Sequence, residues 1–76
     1  MDFKDKVERW KATAEIFLKN NISVFIKDID NNFYFGDILL VGEDVISIKC
    51  FSPKDRAGQK FNLYWMLIKD FEEYKA

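Results

Sequence analysis

The sequence contains no histidine and only one cysteine, Cys50. Without histidine, the chain lacks the side chain that serves most often as a general base near neutral pH and as a metal ligand. A single cysteine cannot form an internal disulfide bond or supply the cysteine set of a zinc site. These absences argue against an enzyme. Because Cys50 lies in an apolar segment, we expect a core thiol rather than a nucleophile.

Long apolar runs are also missing. No run approaches the roughly 20 residues of a membrane-spanning helix, and the N-terminal segment lacks the apolar centre of a signal peptide. The formal net charge is −1, whereas nucleic-acid-binding proteins usually carry a basic field. From the missing membrane span and signal peptide we expect a cytoplasmic protein without a membrane partner, and we also expect no cofactor.

Carboxylates occur in two turn-like segments, at Asp28 and Asp30 and at Glu43 and Asp44. Oxygen ligands of this kind suit hard cations. Scattered carboxylates in turns are more often solvated, however, and we predict no metal site.

Aromatic residues are abundant, with eight Phe, three Tyr and two Trp among 76 residues. The length fits one domain over residues 1–76. Each large aromatic side chain removes roughly 150–250 Å² from water when it is buried. A chain this short cannot easily bury all of them, so we expect some to contact another surface.

The first part of the chain has a helical pattern over about residues 2–19, with Asp2 as a candidate N-cap. Its apolar residues recur at spacings of three and four: Phe3, Val7, Trp10, Ala14, Phe17 and Leu18. Asn20 and Asn21 follow, and asparagine tolerates the left-handed conformation common just past a helix end. The polar face mixes both charge signs, which favours packing on the chain's own sheet over a membrane surface.

After residue 21 the pattern changes to strands, predicted over residues 22–27, 33–41, 45–51 and 61–66. Residues 28–32 supply turn residues, with Asn31 or Asn32 able to take a positive φ. Residues 67–75 have apolar positions every three residues. That spacing fits either a short twisted fifth strand or a terminal helix.

Two features interrupt the apolar strands. Residues 42–44, Gly-Glu-Asp, are either a tight hairpin connection or a functional loop that holds carboxylates. Gly36 stands alone within a strand, where glycine usually marks a bulge, a bend or a close approach of two backbones. It therefore predicts either a sharp bend in a small barrel or an ordinary bulge in a flat sheet.

A helix followed by a strand meander, with a glycine midway along a long second strand, resembles the Sm-like (LSm) family. The matching positions are Val24 and Ile26, Asp30 and Asn31, Gly36, Ile38, Val45 and Ile46, and Ile68 and Phe71. The resemblance implies an N-terminal helix on a strongly bent, five-stranded antiparallel small barrel of Sm-like or SH3-like type, over about residues 22–74. The rival fold is a three- or four-stranded sheet with helices at both ends.

The resemblance also implies a non-enzymatic binding and assembly module with single-stranded RNA as its ligand. Family members hold each base between the loop after the second strand and the turn before the fifth. Here Asp44 stands where the family has Asn, and Tyr64 and Trp65 stand where it has Arg and Gly. The candidate RNA-binding residues are Asp44, Tyr64, Lys54, Arg56 and Lys60.

The last three of these residues lie in the locally basic segment of residues 52–60, which can make a few phosphate contacts or can simply be solvated. The missing family Asn and Arg favour an alternative, a protein–protein interaction adaptor that has lost RNA binding.

Assembly is the second property that the resemblance implies. In Sm-like rings the fourth strand of one subunit pairs with the fifth strand of the next. The run of residues 63–68 is apolar throughout, and an uncovered apolar edge is an aggregation hazard. We therefore expect a closed homo-oligomer with Leu63, Trp65, Ile68 and Phe71 at the interface. Leu63→Pro is expected to remove one edge donor and to give smaller species.

Overall fold

The computed structural model describes residues 3–75, so the proposed Asp2 cap lies outside the described residues. A helix is followed by five strands: α1 Phe3–Lys19, β1 Val24–Asp28, β2 Phe33–Val41, β3 Val45–Ser52, β4 Lys60–Tyr64 and β5 Ile68–Glu73. One 3₁₀ turn, Lys54–Arg56, lies between β3 and β4, and a second, Trp65–Leu67, lies between β4 and β5.

Helix α1 ends at Lys19 as the sequence predicts. Asn21 adopts the left-handed conformation with φ 56°. The next backbone N–H, from Ile22, donates to the carbonyl of Phe17 at 2.9 Å and satisfies an acceptor in the last helical turn. From Val7 onward the predicted apolar stripe packs against the core, with Ala14 fully buried.

The strands form one antiparallel sheet in the order β4-β3-β2-β1-β5. The fold class is therefore confirmed as mainly β with an N-terminal helix. Within the described residues β4 and β5 stand at opposite edges and do not pair with each other. The expected barrel is thus open, and each edge strand leaves one row of backbone groups unpaired.

Gly36 lies where β2 is paired on both sides, opposite Val24 of β1 and Cys50 of β3. A Cβ at this position would lie 2.9 Å from the Cα of Cys50 and closer still to the carbonyl oxygen of Lys49. The β2–β3 register shifts beside Gly36 and again between Ile38 and Leu40. Close backbone approach at an irregular point of the ladder explains the glycine, and no positive φ is involved.

The turn between β1 and β2 is built around the carboxylate of Asp28. One oxygen accepts the backbone N–H groups of Asp30 and Asn32, both at 2.9 Å. The other accepts the Asn32 amide at 3.2 Å and the Tyr34 hydroxyl at 3.3 Å. Burial alone would raise the pKa of Asp28, but these hydrogen bonds outweigh it and lower the pKa below its ordinary value. As predicted, Asn31 takes a positive φ, 66°.

The end of the chain is a strand and not a helix. Strand β5 pairs with β1, and the register shifts between Lys27 and Asp28, where one residue of β5 is left over. This bulge turns both Ile68 and Phe71 inward although they are three residues apart. The spacing of three, which also fits a helix, therefore belongs to a bulged strand.

The core lies between α1 and the inner face of the sheet. It comprises Ala14, Val24, Ile26, Tyr34, Ile38, Ile46, Ile48, Cys50, Trp65, Ile68 and Phe71. Phe71 is central, with the rings of Trp10, Phe17 and Trp65 at 6.2, 6.0 and 5.8 Å from its own. Cys50 is 2% exposed, so the thiol belongs to the core as expected.

Candidate functional site

A groove of about 420 Å³ lies between the first half of α1, residues 42–44 and the 3₁₀ turn Trp65–Leu67. Two hydrogen bonds hold its loops together. The backbone N–H of Trp65 donates to the carbonyl of Asp44 at 2.9 Å, and the indole N–H of Trp65 donates to the carbonyl of Gly42 at 3.2 Å. Residues 42–44 form a tight connection, since the Gly42 N–H donates to the Val45 carbonyl at 2.8 Å.

Two of the predicted RNA-binding residues line this groove together. Asp44 precedes β3 and Tyr64 ends β4, and the ladder places Tyr64 opposite Val45, the residue after Asp44. Tyr64 is 54% exposed and Met66 is 65% exposed. The groove thus offers an uncovered aromatic ring and a thioether beside a carboxylate that can only accept hydrogen bonds.

The charge in the groove is partly neutralised by Lys11 of α1. Its ammonium lies 3.5 Å from the carboxylate of Glu8 and 3.4 Å from that of Glu43, and 16% of its side chain is exposed. Burial alone would lower the pKa of Lys11, but the hydrogen bond and charge of Glu43 outweigh it and raise the pKa. Lys11 therefore stays charged and ties the helix to residues 42–44.

The basic segment of residues 52–60 does not line the groove. Arg56 packs over the Tyr34 ring, with its guanidinium carbon 4.8 Å from the ring centroid. The same guanidinium donates to the carbonyl of Phe33 and, at 3.4 Å, to the side chain of Asn32. Arg56 thus has a structural role at the β1–β2 turn, whereas Lys54 and Lys60 are exposed.

The predicted interface residues have to be revised. Trp65, Ile68 and Phe71 are only 2%, 3% and 7% exposed. Their side chains fill the core and are not presented to a neighbour, because the 3₁₀ turn and the bulge of β5 direct them inward. Leu63 is half-buried and packs against the same core.

Along an antiparallel strand, successive residues direct their backbone N–H and C=O groups alternately toward one neighbouring strand and away from it. This alternation identifies which backbone groups of the edge strands are unpaired. The N–H of Trp65, the residue after β4, donates to the carbonyl of Asp44, the residue before β3, so every second residue back from Trp65, including Leu63, directs its backbone groups to β3. Asn62 and Tyr64 therefore direct their N–H groups to the open side. The Leu63 N–H is therefore not an edge donor as expected, because it belongs to the β3–β4 ladder.

The same alternation applies to β5. The Tyr74 N–H donates to the carbonyl of Ser23, so Glu72 also faces β1. Phe71 and Glu73 direct their backbone groups to the open edge, although the Phe71 side chain is buried. The sheet thus offers two free backbone edges that the side-chain pattern alone does not reveal.

A second feature that the sequence did not identify is a row of aromatic rings on the outer face of the sheet. It runs through Phe33, Phe25, Phe35, Tyr74 and Phe51. The sequence did show that β2 is apolar on both faces and so has a second apolar face to cover. The pattern did not show which strands would place their own rings beside that second face.

Comparison with known protein families gives no match to this sequence, and comparison with curated proteins gives none. Across residues 3–75 no three His, Cys, Asp or Glu side chains cluster in a way that could hold a metal ion. Both oxygens of Asp28 already accept internal hydrogen bonds. No helix in the described part of the chain is long and apolar enough to cross a membrane.

Proposed function

We propose that this chain is a non-enzymatic, cytoplasmic Sm-like module that assembles into a closed homo-oligomeric ring and binds single-stranded RNA. The observation that carries the proposal is the pair of free edges on β4 and β5 in one open sheet. Opposite edges of one subunit are different surfaces, so their pairing is head-to-tail, and such a contact closes into a ring when the rotation allows. The resemblance to Sm-like proteins suggests about five to seven subunits.

Tyr64 allows a direct test of the edge. Its φ is −72°, which proline can adopt without strain. Tyr64→Pro removes the outward N–H, whereas Tyr64→Ala keeps that N–H and removes only the ring. Light scattering at about 100 μM protein is expected to give a multimer for the parent and for Tyr64→Ala, and smaller species for Tyr64→Pro.

Circular dichroism is the control for folding of both variants. A parent that is monomeric at this concentration would contradict the ring, as would a Tyr64→Pro variant that is folded and assembles like the parent.

The groove beside this edge supports RNA as the ligand. An unpaired base can stack on the exposed ring of Tyr64 while its N–H groups donate to Asp44, and stacking contributes about 1–3 kcal/mol per base. The carboxylates of Glu43 and Asp44 repel phosphate, and Arg56 is held internally. We therefore expect weak, salt-sensitive binding, with Lys54 and Lys60 as the free phosphate contacts.

Anisotropy of a labelled uridine-rich single-stranded RNA tests the groove. Tyr64→Phe should bind like the parent, and Tyr64→Ala should bind more weakly. Replacing Lys54 and Lys60 with Gln should reduce the salt dependence by about one counterion for each lost phosphate contact. A ring that shows no RNA binding at low salt favours the second candidate, a protein-interaction adaptor. The acidic groove and the internal use of Arg56 are the observations that favour that candidate.

A further inference from the structure

The outer face of the sheet carries a continuous row of five aromatic rings. Their centroids are separated by 5.8 Å from Phe33 to Phe25, 5.1 Å from Phe25 to Phe35, 5.5 Å from Phe35 to Tyr74 and 5.1 Å from Tyr74 to Phe51. None of these rings belongs to the buried core. Phe33 and Phe51 are 45% and 41% exposed. This apolar surface faces away from α1, so the helix does not cover it.

A groove of about 560 Å³ opens along the middle of this row. Phe25 and Phe35 form one wall, and Tyr74 meets Phe35 at 74°, so the rings make two walls of a corner. Glu72 and Glu73 lie at the rim with Lys75. The groove is far from the Tyr64 site in sequence and shares no lining residue with it.

The charged residues that line the groove are two glutamates and one lysine. Both glutamates are exposed, and within residues 3–75 neither takes part in an ion pair. Glu72 pairs with Phe25 in the ladder and therefore shares the outer face with it, whereas Glu73 pairs with the core residue Val24. Aromatic faces attract cations through their electron-rich π systems. The same outer face already shows this attraction, since the Lys27 ammonium lies 5.3 Å from the Phe33 ring centroid.

We propose that this groove binds the guanidinium group of an arginine presented by a segment of a partner protein. A guanidinium is planar and weakly hydrated, so it stacks on aromatic rings, and its fork of N–H donors matches a carboxylate. The groove is larger than one side chain, which leaves room for the residues on either side of the arginine. Nucleic acid fits less well, because the Glu72 carboxylate repels phosphate. This inference does not depend on ring assembly or on RNA binding.

Titration of the isotopically labelled full chain with blocked tripeptides, followed by NMR, tests the proposal. The peptides are acetyl-Gly-Arg-Gly-amide, its lysine analogue and its citrulline analogue, which has nearly the shape of arginine without the charge. The arginine peptide should shift the amides of Phe25, Phe35 and residues 72–75, and should bind about fivefold to tenfold more tightly than citrulline. Lysine should fall between the two.

Matched variants separate the site from general charge effects. Glu72→Gln with Glu73→Gln should abolish the preference for arginine over citrulline, whereas Glu15→Gln with Asp55→Asn removes the same charge elsewhere and should leave the preference intact. Phe35→Leu should weaken all three peptides, and circular dichroism checks that it is folded.

Equal binding of arginine and citrulline overturns the proposal, as do shifts confined to other residues or no shifts at about 20 mM peptide. If oligouridine shifts these residues and the arginine peptide does not, the face is a nucleic-acid surface instead.

Discussion

Replacing Gly36 with alanine adds one methyl group at the closest approach of β2 and β3. That methyl would lie 2.9 Å from the Cα and the carbonyl carbon of two adjacent β3 residues, whereas carbon atoms in ordinary contact are about 3.5–4.0 Å apart. These are backbone atoms of a central strand, so no side chain can rotate away. The two strands must separate locally by roughly 0.5–1 Å.

The size of the effect follows from three contributions. Overpacking of this kind costs about 1–3 kcal/mol, and weakening of one or two ladder hydrogen bonds adds about 1 kcal/mol each. Alanine also lowers the conformational entropy of the unfolded chain, and this reduces the loss of stability by about 0.4–1 kcal/mol. We therefore expect Gly36→Ala to lower the free energy of unfolding by about 2–4 kcal/mol, and the Tm by at least about 10 °C.

Urea denaturation followed by tryptophan fluorescence measures this effect, with Gly58→Ala as the control. Gly58 has φ +84°, and apart from its two chain neighbours no other described residue has an atom within 4 Å of the point that a Cβ would occupy, so its substitution tests backbone strain without a steric clash. That strain costs about 1–2 kcal/mol. If Gly36→Ala is no more destabilising than Gly58→Ala, the close approach of β2 and β3 is not what requires the glycine.

Three further predictions concern single side chains. Asp28→Asn should lower the free energy of unfolding by about 1–3 kcal/mol at pH 7. The pKa of Asp28 is lower in the folded state, so the stabilisation by its carboxylate is lost as the pH falls below about 4. The urea midpoints of parent and variant should therefore converge at low pH, and a difference that stays constant with pH would refute this. Burial raises the pKa of the Cys50 thiol although Arg56 opposes it, so iodoacetamide at pH 8 should label Cys50 only after denaturation; rapid native labelling would show an accessible thiol. Trp65→Phe removes the hydrogen bond to Gly42 and should lower the free energy of unfolding in urea by about 1–3 kcal/mol; an unchanged free energy would show that this bond contributes nothing.

The sequence predicted α1 from its helical period and β2 from an apolar run that lies between turn residues. It predicted β4 less well, since residues 65 and 66 leave the strand for a 3₁₀ turn. That turn depends on the hydrogen bonds of Trp65 to the carbonyls of Asp44 and Gly42, which lie about 20 residues earlier in the chain. Local propensity contains no information about such partners.

For the candidate site, sequence reasoning brought Asp44 and Tyr64 together but assigned to an interface three side chains that the structure buries in the core. An apolar side chain beside a sheet edge looks the same in sequence whether it faces the core or a neighbour, so Trp65 and Phe71 could not be assigned. Arg56 was grouped with two lysines by charge alone. Its contact with Tyr34 depends on how the basic segment folds back on the β1–β2 turn.

The contacts of Phe71 have a consequence for the order of events during synthesis. The helix residues Trp10 and Phe17 leave the ribosome early, but the ring they pack against lies more than fifty residues later. At about 5–20 residues per second, the apolar face of the nascent helix waits several seconds for its partner. Because Trp65 packs on the same ring, the two ends of the chain complete the core in one late step. Nascent chains that stall before Phe71 should expose the helix face and become targets for chaperones.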